Sequence, residues 1–454
     1  MSGRGRRPLA SADAVGWLTT YILLLLFVPS HLVIGPLGSA GAPSMVLGLG
    51  SLLLWVLLQL RRSRPRDNIG QPVRLALFVF MFSVGVTYAL AMSRPMPSDE
   101  RSPADVAVLA LLSWAGTLLL TQDGIDRRGR LEVLAWRLAL CGGAIAVLGL
   151  VQILTRRLWV DEVAIPGLTS TASDGLSYRG GFPRPAGTAT HPIEYGVILA
   201  MVFPITWHVA FFHTSRPLCL RVAPALALSA VAPLTSSRSA YVGIALALAV
   251  CLLGWSRRRR LYILGLTSGG SMLMIISSPH FVTSVTELFT GAPNDPSIES
   301  RTQSYALAAD FIGRSPWFGR GLGTFLPKYR IFDNEYLLLL VTVGIVGTVA
   351  FIALGIVAIT IAWRVRLRSA DDTMRDLALT LSAAVVAGFV CLFMFDAFAF
   401  PMTMGTLFLI LGMIACLHRI DGGRTVTRGL SQPRDAKEAA IDVRQLASPG
   451  DQQV

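Results

Sequence analysis

An all-helical bundle that crosses a membrane many times is the fold this sequence predicts, on three observations. Hydrophobic residues make up 53% of the 454 and charged residues only 15%, where a soluble chain carries nearer a quarter charged. Mean hydropathy is +0.58. The apolar residues fall in runs of about 20, the length a helix needs to cross the hydrocarbon core, and arginine-rich stretches separate alternate runs.

About twelve runs qualify: 15–34, 43–60, 73–92, 104–122, 133–154, 192–212, 221–236, 239–255, 261–277, 335–363, 376–398 and 400–418. The seventh and eighth are short and are parted only by Ser237 and Arg238. Arg4, Arg6 and Arg7 precede the first. Arg61, Arg62, Arg64, Arg66 and Arg74 follow the second, and Arg127, Arg128 and Arg130 the fourth. Arg216 and Arg221 flank the loop after the sixth, Arg257 to Arg260 follow the eighth, and Arg364, Arg366, Arg368 and Arg375 follow the tenth. Arg419 closes the twelfth. Loops rich in cation stay on the cytoplasmic side. The pattern therefore predicts a multi-pass plasma-membrane protein with both termini in the cytoplasm. No small-residue cleavage site follows the first run, so it is read as a retained helix. The chain divides into a tail (1–14), a transmembrane domain (15–419) and a polar tail (420–454) expected to be disordered.

Composition also excludes several classes. The net charge is +13, but it lies in short blocks between apolar runs, which encodes topology rather than a nucleic-acid surface. Lysine occurs only at 328 and 437. Cys141, Cys219, Cys251, Cys391 and Cys416 are scattered without a CxxC pair, which implies neither a disulfide framework nor a metal site. With no D-x-D pair on the outer face and no His/Cys/carboxylate cluster at ligand spacing, no metal and no cofactor are expected.

Two outer loops are long, 155–191 and 278–334, and long loops usually carry function. Both hold more cation than an outer loop should: Arg156, Arg157, Arg179 and Arg184 in the first, and Arg301, Arg314, Arg320, Lys328 and Arg330 in the second. A polyanionic ligand on the outer face would account for that excess, with both loops folded over one cavity. Within 299–313, Tyr305, Leu307, Ala308, Phe311 and Ile312 recur at three- and four-residue spacing. That predicts an amphipathic helix at the membrane surface, ended by Pro316. GRGLG (319–323) follows no strand and lacks GK[ST], so its signal as a nucleotide loop is weak. As a turn with free N–H groups near Arg320 it could help hold an anion.

Three further segments carry candidate chemistry. In RPAGTATHPIEYG (184–196), Arg184 is either a bidentate phosphate contact or a headgroup anchor. His191, before Pro192, is either a ligand contact or a helix cap. In LTSSRSAYVG (234–243), Arg238 is likewise an anchor or a ligand contact. In DNEYLLLLVTVGIVG (333–347), Asp333 stands where an N-cap would, and a general-base role needs an environment that opposes the helix dipole.

Taken in order, these segments resemble the O-antigen ligase and O-antigen polymerase superfamily of bacterial membrane glycosyltransferases, over roughly residues 140–365. The shared parts are Arg184, Gly187, Thr188, His191 and Pro192; then Thr235, Ser237 and Arg238; then Arg301, Pro316, Gly319, Gly321, Gly323 and Phe325; and last Asn334 and Gly344. Asp333 stands where the family usually has histidine, and Thr342 where it often has glutamate. The resemblance implies transfer of a glycan from a polyprenyl diphosphate on the outer leaflet to a hydroxyl of a glycan or lipid acceptor, without metal. It casts Arg184, Arg238 and Asp333 as catalytic. Arg179, His191, Arg301, Arg320, Lys328, Arg330 and Asn334 become substrate-binding residues. Other polysaccharide assembly proteins are the implied partners.

Two other readings stand beside it. A small-solute or anion transporter would place ionisable residues near mid-membrane on broken helices; here they sit in outer loops and at helix ends, apart from Arg137, His208 and Asp396. An inactive scaffold of a polysaccharide assembly complex is motivated by Asp333.

Overall fold

Prolines, glycines and short polar stretches set where the helices stop. The computed structural model describes residues 13–61, 70–171, 176–179, 181–277 and 296–430. In chain order the helices are α1 (Ala14–Phe27), α2 (Pro43–Leu60), α3 (Pro72–Met92), α4 (Ser98–Gly124), α5 (Arg128–Thr155), α6 (Pro192–Phe212) and α7 (Leu218–Val231). Then come α8 (Arg238–Gly254), α9 (Arg257–Ser277), α10 (Pro296–Arg314), α11 (Glu335–Thr342), α12 (Gly344–Arg368), α13 (Asp372–Cys391) and α14 (Pro401–Leu430). Among the described residues nine helical segments are long and apolar enough to cross a membrane, and α1 and α8 are shorter apolar helices. The fold is all-helical and polytopic, as expected. α14 runs on to Leu430, past the boundary drawn at 419, and residues 431–454 lie outside the described residues.

The first expected run ends early. α1 stops at Phe27, and Leu32–Ile34 forms a strand, β1, instead of helix. Pro29 interrupts the helix, and the β-branched Val33 and Ile34 pair antiparallel with β2 (Leu168–Ser170), Ile34 opposite Leu168. This ties the loop after α1 to the long loop after α5. A second hairpin, β3 (Ser177–Arg179) with β4 (Phe182–Arg184), lies next in that loop. The eleventh run also stops early, at Cys391, and residues 392–400 turn through short 3₁₀ segments before Pro401 starts α14.

α6 and α14 form the centre. Their apolar windows are 89% buried, against 22% for the peripheral α2. A helix apolar all round is suited to that place. In lipid, burial of apolar surface does not itself drive helices together, so close backbone approach at small residues matters more. α6, α8 and α13 meet in this way. A Cβ on Gly196 would lie 2.7 Å from that of Ala240, and one on Gly243 would lie 2.7 Å from Cys391 Sγ and 2.8 Å from Ala200 Cβ.

The bundle has two distinct ends. Where α1 begins, arginines tie neighbouring elements together. Arg130 pairs with Asp13 and Arg128 with Asp371. Arg74 reaches Asp123 at 3.4 Å and Arg259 reaches Asp376 at 3.4 Å. Arg366 donates to the Gly254 carbonyl at 2.6 Å, and Arg419 to that of Gln122 at 3.0 Å. The loops expected on one side of the membrane thus converge on one end, called basal here. The loops after α1, α3, α5, α7, α10 and α13 gather at the other, apical end.

Candidate active site

The apical end is built on helix starts. α6 begins at Pro192 with His191 as its N-cap, whose Nδ1 accepts from the Ile193 N–H at 3.1 Å. The His191 ring lies 6.3 Å from that of Phe400. Three residues into the cap, Glu194 is fully buried. Its Oε2 accepts from the N–H and hydroxyl of Thr190, both at 3.1 Å, and its Oε1 accepts from the N–H groups of Met402 at 2.9 Å and Thr403 at 3.4 Å. One carboxyl therefore satisfies orphan donors at the starts of α6 and α14, where the helix dipoles favour an acceptor. Sequence reading missed Glu194. The back-reaching carboxyl after a Thr-His-Pro helix start was the available signal.

Arg238 opens α8, half-buried, with Ser237 as N-cap. The hydroxyls of Ser237 and Ser239 lie 2.9 Å apart, and Cys391 Sγ donates to the Ser239 carbonyl at 3.2 Å. Arg184, at the end of β4, is half-buried, and its charge acts on Tyr241 one turn into α8. The Tyr241 hydroxyl donates to the Pro233 carbonyl at 2.6 Å. The loop holding Arg184 is anchored further at Gly187, whose N–H and carbonyl both pair with the Gln152 side chain at 2.8 Å.

The tenth expected helix, 335–363, is broken. α11 ends at Thr342, Val343 leaves helical geometry, and Gly344 has φ +69°. The break frees carbonyls that segment 315–321 fills. Arg320 N–H donates to the Val341 carbonyl at 3.0 Å and Gly321 N–H to that of Thr342 at 2.8 Å. In return Ile345 N–H donates to Pro316 at 2.9 Å and Val346 N–H to Trp317 at 3.2 Å. This corrects the reading of GRGLG as a flexible turn with free N–H groups for an anion: the glycines allow close approach to a broken helix. A Cβ on Gly319 would lie 2.4 Å from the Thr342 carbonyl carbon.

Asp333 is not the N-cap of α11; Asn334 is, its Oδ1 accepting from the Leu337 N–H at 3.2 Å. Asp333 precedes the cap in the left-handed region, φ +48°, a conformation an aspartate tolerates better than most side chains. Next along, Glu335 is fully buried, and its Oε2 accepts from the Phe398 N–H at 3.0 Å. That bond joins the start of α11 to the 392–400 segment, where Asp396 sits, half-buried. Burial, with Asp333's charge beside it, pushes the Asp396 carboxyl up to about 6.

Arg320, Lys328 and Arg330 lie on the opposite flank and are engaged there. Arg320 contacts both oxygens of the buried Glu100, at 2.7 and 2.8 Å, and its guanidinium lies over Phe311 and Tyr329. Tyr329 also donates to Glu100, and Lys328 pairs with Asp99. Arg330 Nε donates to Ser304 Oγ at 3.0 Å. Ser304, Leu307, Ala308, Phe311 and Ile312 make the inward face of α10, and its apolar residues join Phe325, Phe332 and Val341 in a small core. Tyr305, expected on that face, is 55% exposed; the inward stripe runs through Ser304 instead. The side chains of Arg179, in β3, and Arg301, in α10, lie outside the described residues.

These features define a class: a polytopic helical membrane protein whose apical end gathers half-buried arginines and buried carboxyls at helix starts. Comparison with known proteins shows what the chain is similar to. Residues 223–352 match the family model described as O-antigen ligase. An O-antigen ligase of Pseudomonas aeruginosa is 26% identical over 327 residues, covering 69% of this chain and 70% of the relative. Together the two matches point toward the O-antigen ligase and polymerase superfamily and support a membrane glycosyltransferase-like enzyme in general.

Proposed function

We propose that the apical end faces the outside of the cell and transfers glycan from a polyprenyl diphosphate to an acceptor hydroxyl, without a metal ion. The basal end, tied by arginines, then lies in the cytoplasm with both termini. The observation that supports this most is the placement of Arg184 and Arg238. Both are half-buried at the apical end, beside the starts of α6 and α8. A departing diphosphate develops negative charge, and a fixed guanidinium stabilises it with little reorganisation. Asp333 and Asp396 would lie on the acceptor side. Arg320, held on Glu100, contributes by fixing segment 315–321 against the break between α11 and α12.

The test is Arg238→Lys at matched membrane expression. Lysine keeps the charge but lacks the planar fork of a bidentate contact. The expected result is a loss of roughly 100- to 1,000-fold in polymer or ligated product, with carrier-linked precursor accumulating. Unchanged product yield and chain length would return Arg238 to the role of a snorkelling anchor.

A further inference from the structure

The position where the family carries histidine holds Asp333, and an exposed aspartate is a weak base near neutrality. The structure gives it a companion. Asp333 precedes Glu335 by two residues, and Asp396 precedes Phe398 by two. The Phe398 N–H to Glu335 Oε2 bond, at 3.0 Å, locks these two turns together. Both aspartates therefore sit at one junction, part-exposed, while Glu335 beneath them is wholly buried. Among the described residues Glu335 Oε1 meets no partner within hydrogen-bond distance, while the Ala397 N–H and the charge of Asp396 both act on its carboxyl. Phe398 anchors the turn from below, its ring 5.6 Å from Trp114 and 5.4 Å from Phe351.

We propose that Asp396 and Asp333, held at one junction by the Glu335–Phe398 bond, act as a charge-coupled pair in which Asp396 is the general base for the acceptor hydroxyl. This rests on the glycosyl-transfer reading above. The acceptor oxygen bonds to the anomeric carbon as the bond from that carbon to the diphosphate oxygen breaks. The electron pair leaves with the diphosphate, and the hydroxyl proton passes to Asp396, then to water as product departs. A base works best when its pKa is close to the working pH, and partial burial plus the Asp333 charge bring Asp396 to about 6. The other titratable groups on elements packed around this turn include Glu335 and Tyr336 on α11, Cys391 at the end of α13, and His191 and Glu194 at the start of α6; Tyr336 donates to the Phe389 carbonyl and Cys391 to that of Ser239. Glu194 is occupied by the α14 N–H groups, and His191 by the N–H of Ile193.

Two measurements on the purified, reconstituted protein test the pair. Infrared titration is expected to show a carboxylic acid band titrating around pH 6 in the wild type. The band should be missing in Asp396→Asn and titrate at lower pH in Asp333→Asn, because removing the neighbouring charge lowers the Asp396 pKa. Acceptor-dependent release of polyprenyl diphosphate is expected to fall by about 100-fold or more in Asp396→Asn. The acidic limb of the pH–rate profile should move down in Asp333→Asn, and Asp396→Glu should recover part of the rate. A band that ignores Asp333→Asn, or a wild-type rate and profile in Asp396→Asn, would overturn the pair even in an active enzyme. A coupled band in a protein that transfers no glycan would instead overturn the transfer reading, and the base role with it.

Discussion

Glu194 shows how much of the apical end rests on single side chains. It accepts from four donors at two helix starts, and among the described residues the N–H groups of Met402 and Thr403 meet no other acceptor. A buried N–H left unsatisfied costs about 1–3 kcal/mol. Glu194→Ala is therefore expected to lower the melting temperature of the detergent-purified protein clearly, while Glu194→Gln, which keeps one acceptor oxygen, loses less. Equal melting for wild type and Glu194→Ala would show that these bonds carry no net stability. At this scale local motifs marked the helix starts at His191 and Arg238 and the loop residue Arg184, and of the roles weighed for them the structure bears on the helix cap at His191. The sequence was not legible for the bonds that Glu194 and Glu335 make to Met402 and Phe398, more than 60 residues away across the bundle. Asp396 stood out only as an ionisable residue in an apolar run. Its tie to Asp333 depends on a turn that ends α13 early, which hydropathy alone does not show.

Among the elements, the break between α11 and α12 organises the apical end. Gly344 at φ +69° leaves no room for a side chain: a Cβ there would lie 2.4 Å from the Trp317 carbonyl carbon. Gly344→Ala is expected to unseat segment 315–321 and expose it to limited proteolysis. Gly313→Ala is the control, since a Cβ at Gly313 meets nothing within 4 Å. Equal protease resistance in both variants would argue against the clamp. Hydropathy placed this helix correctly but as one continuous run. The glycines of 319–323 and Gly344 were visible in the sequence. That they face one another was not, because their reciprocal backbone bonds join segments about 25 residues apart and leave no periodic trace.

For the whole molecule, alternating arginine blocks correctly grouped the loops onto two ends, because the rule that sets orientation acts on short loops independently of tertiary contacts. Which end faces out is open to a direct probe. Cys219, at the start of α7 on the basal end, is exposed, while Cys141, Cys251, Cys391 and Cys416 are buried. A membrane-impermeant maleimide is expected to label Cys219 only after the cells are permeabilised, and a cysteine placed at the exposed Trp317 in intact cells. The reverse pattern would invert the topology and place the proposed chemistry in the cytoplasm.

The most direct measurement of the central claim uses purified protein in liposomes with a polyprenyl diphosphate-linked saccharide, an acceptor glycan or lipid, and a chelator in excess. The account predicts release of polyprenyl diphosphate in step with glycan appearing on the acceptor, with no release when the acceptor is withheld and none from Arg238→Lys. Release that requires added divalent metal, or that proceeds equally without acceptor and in Arg238→Lys, would contradict it.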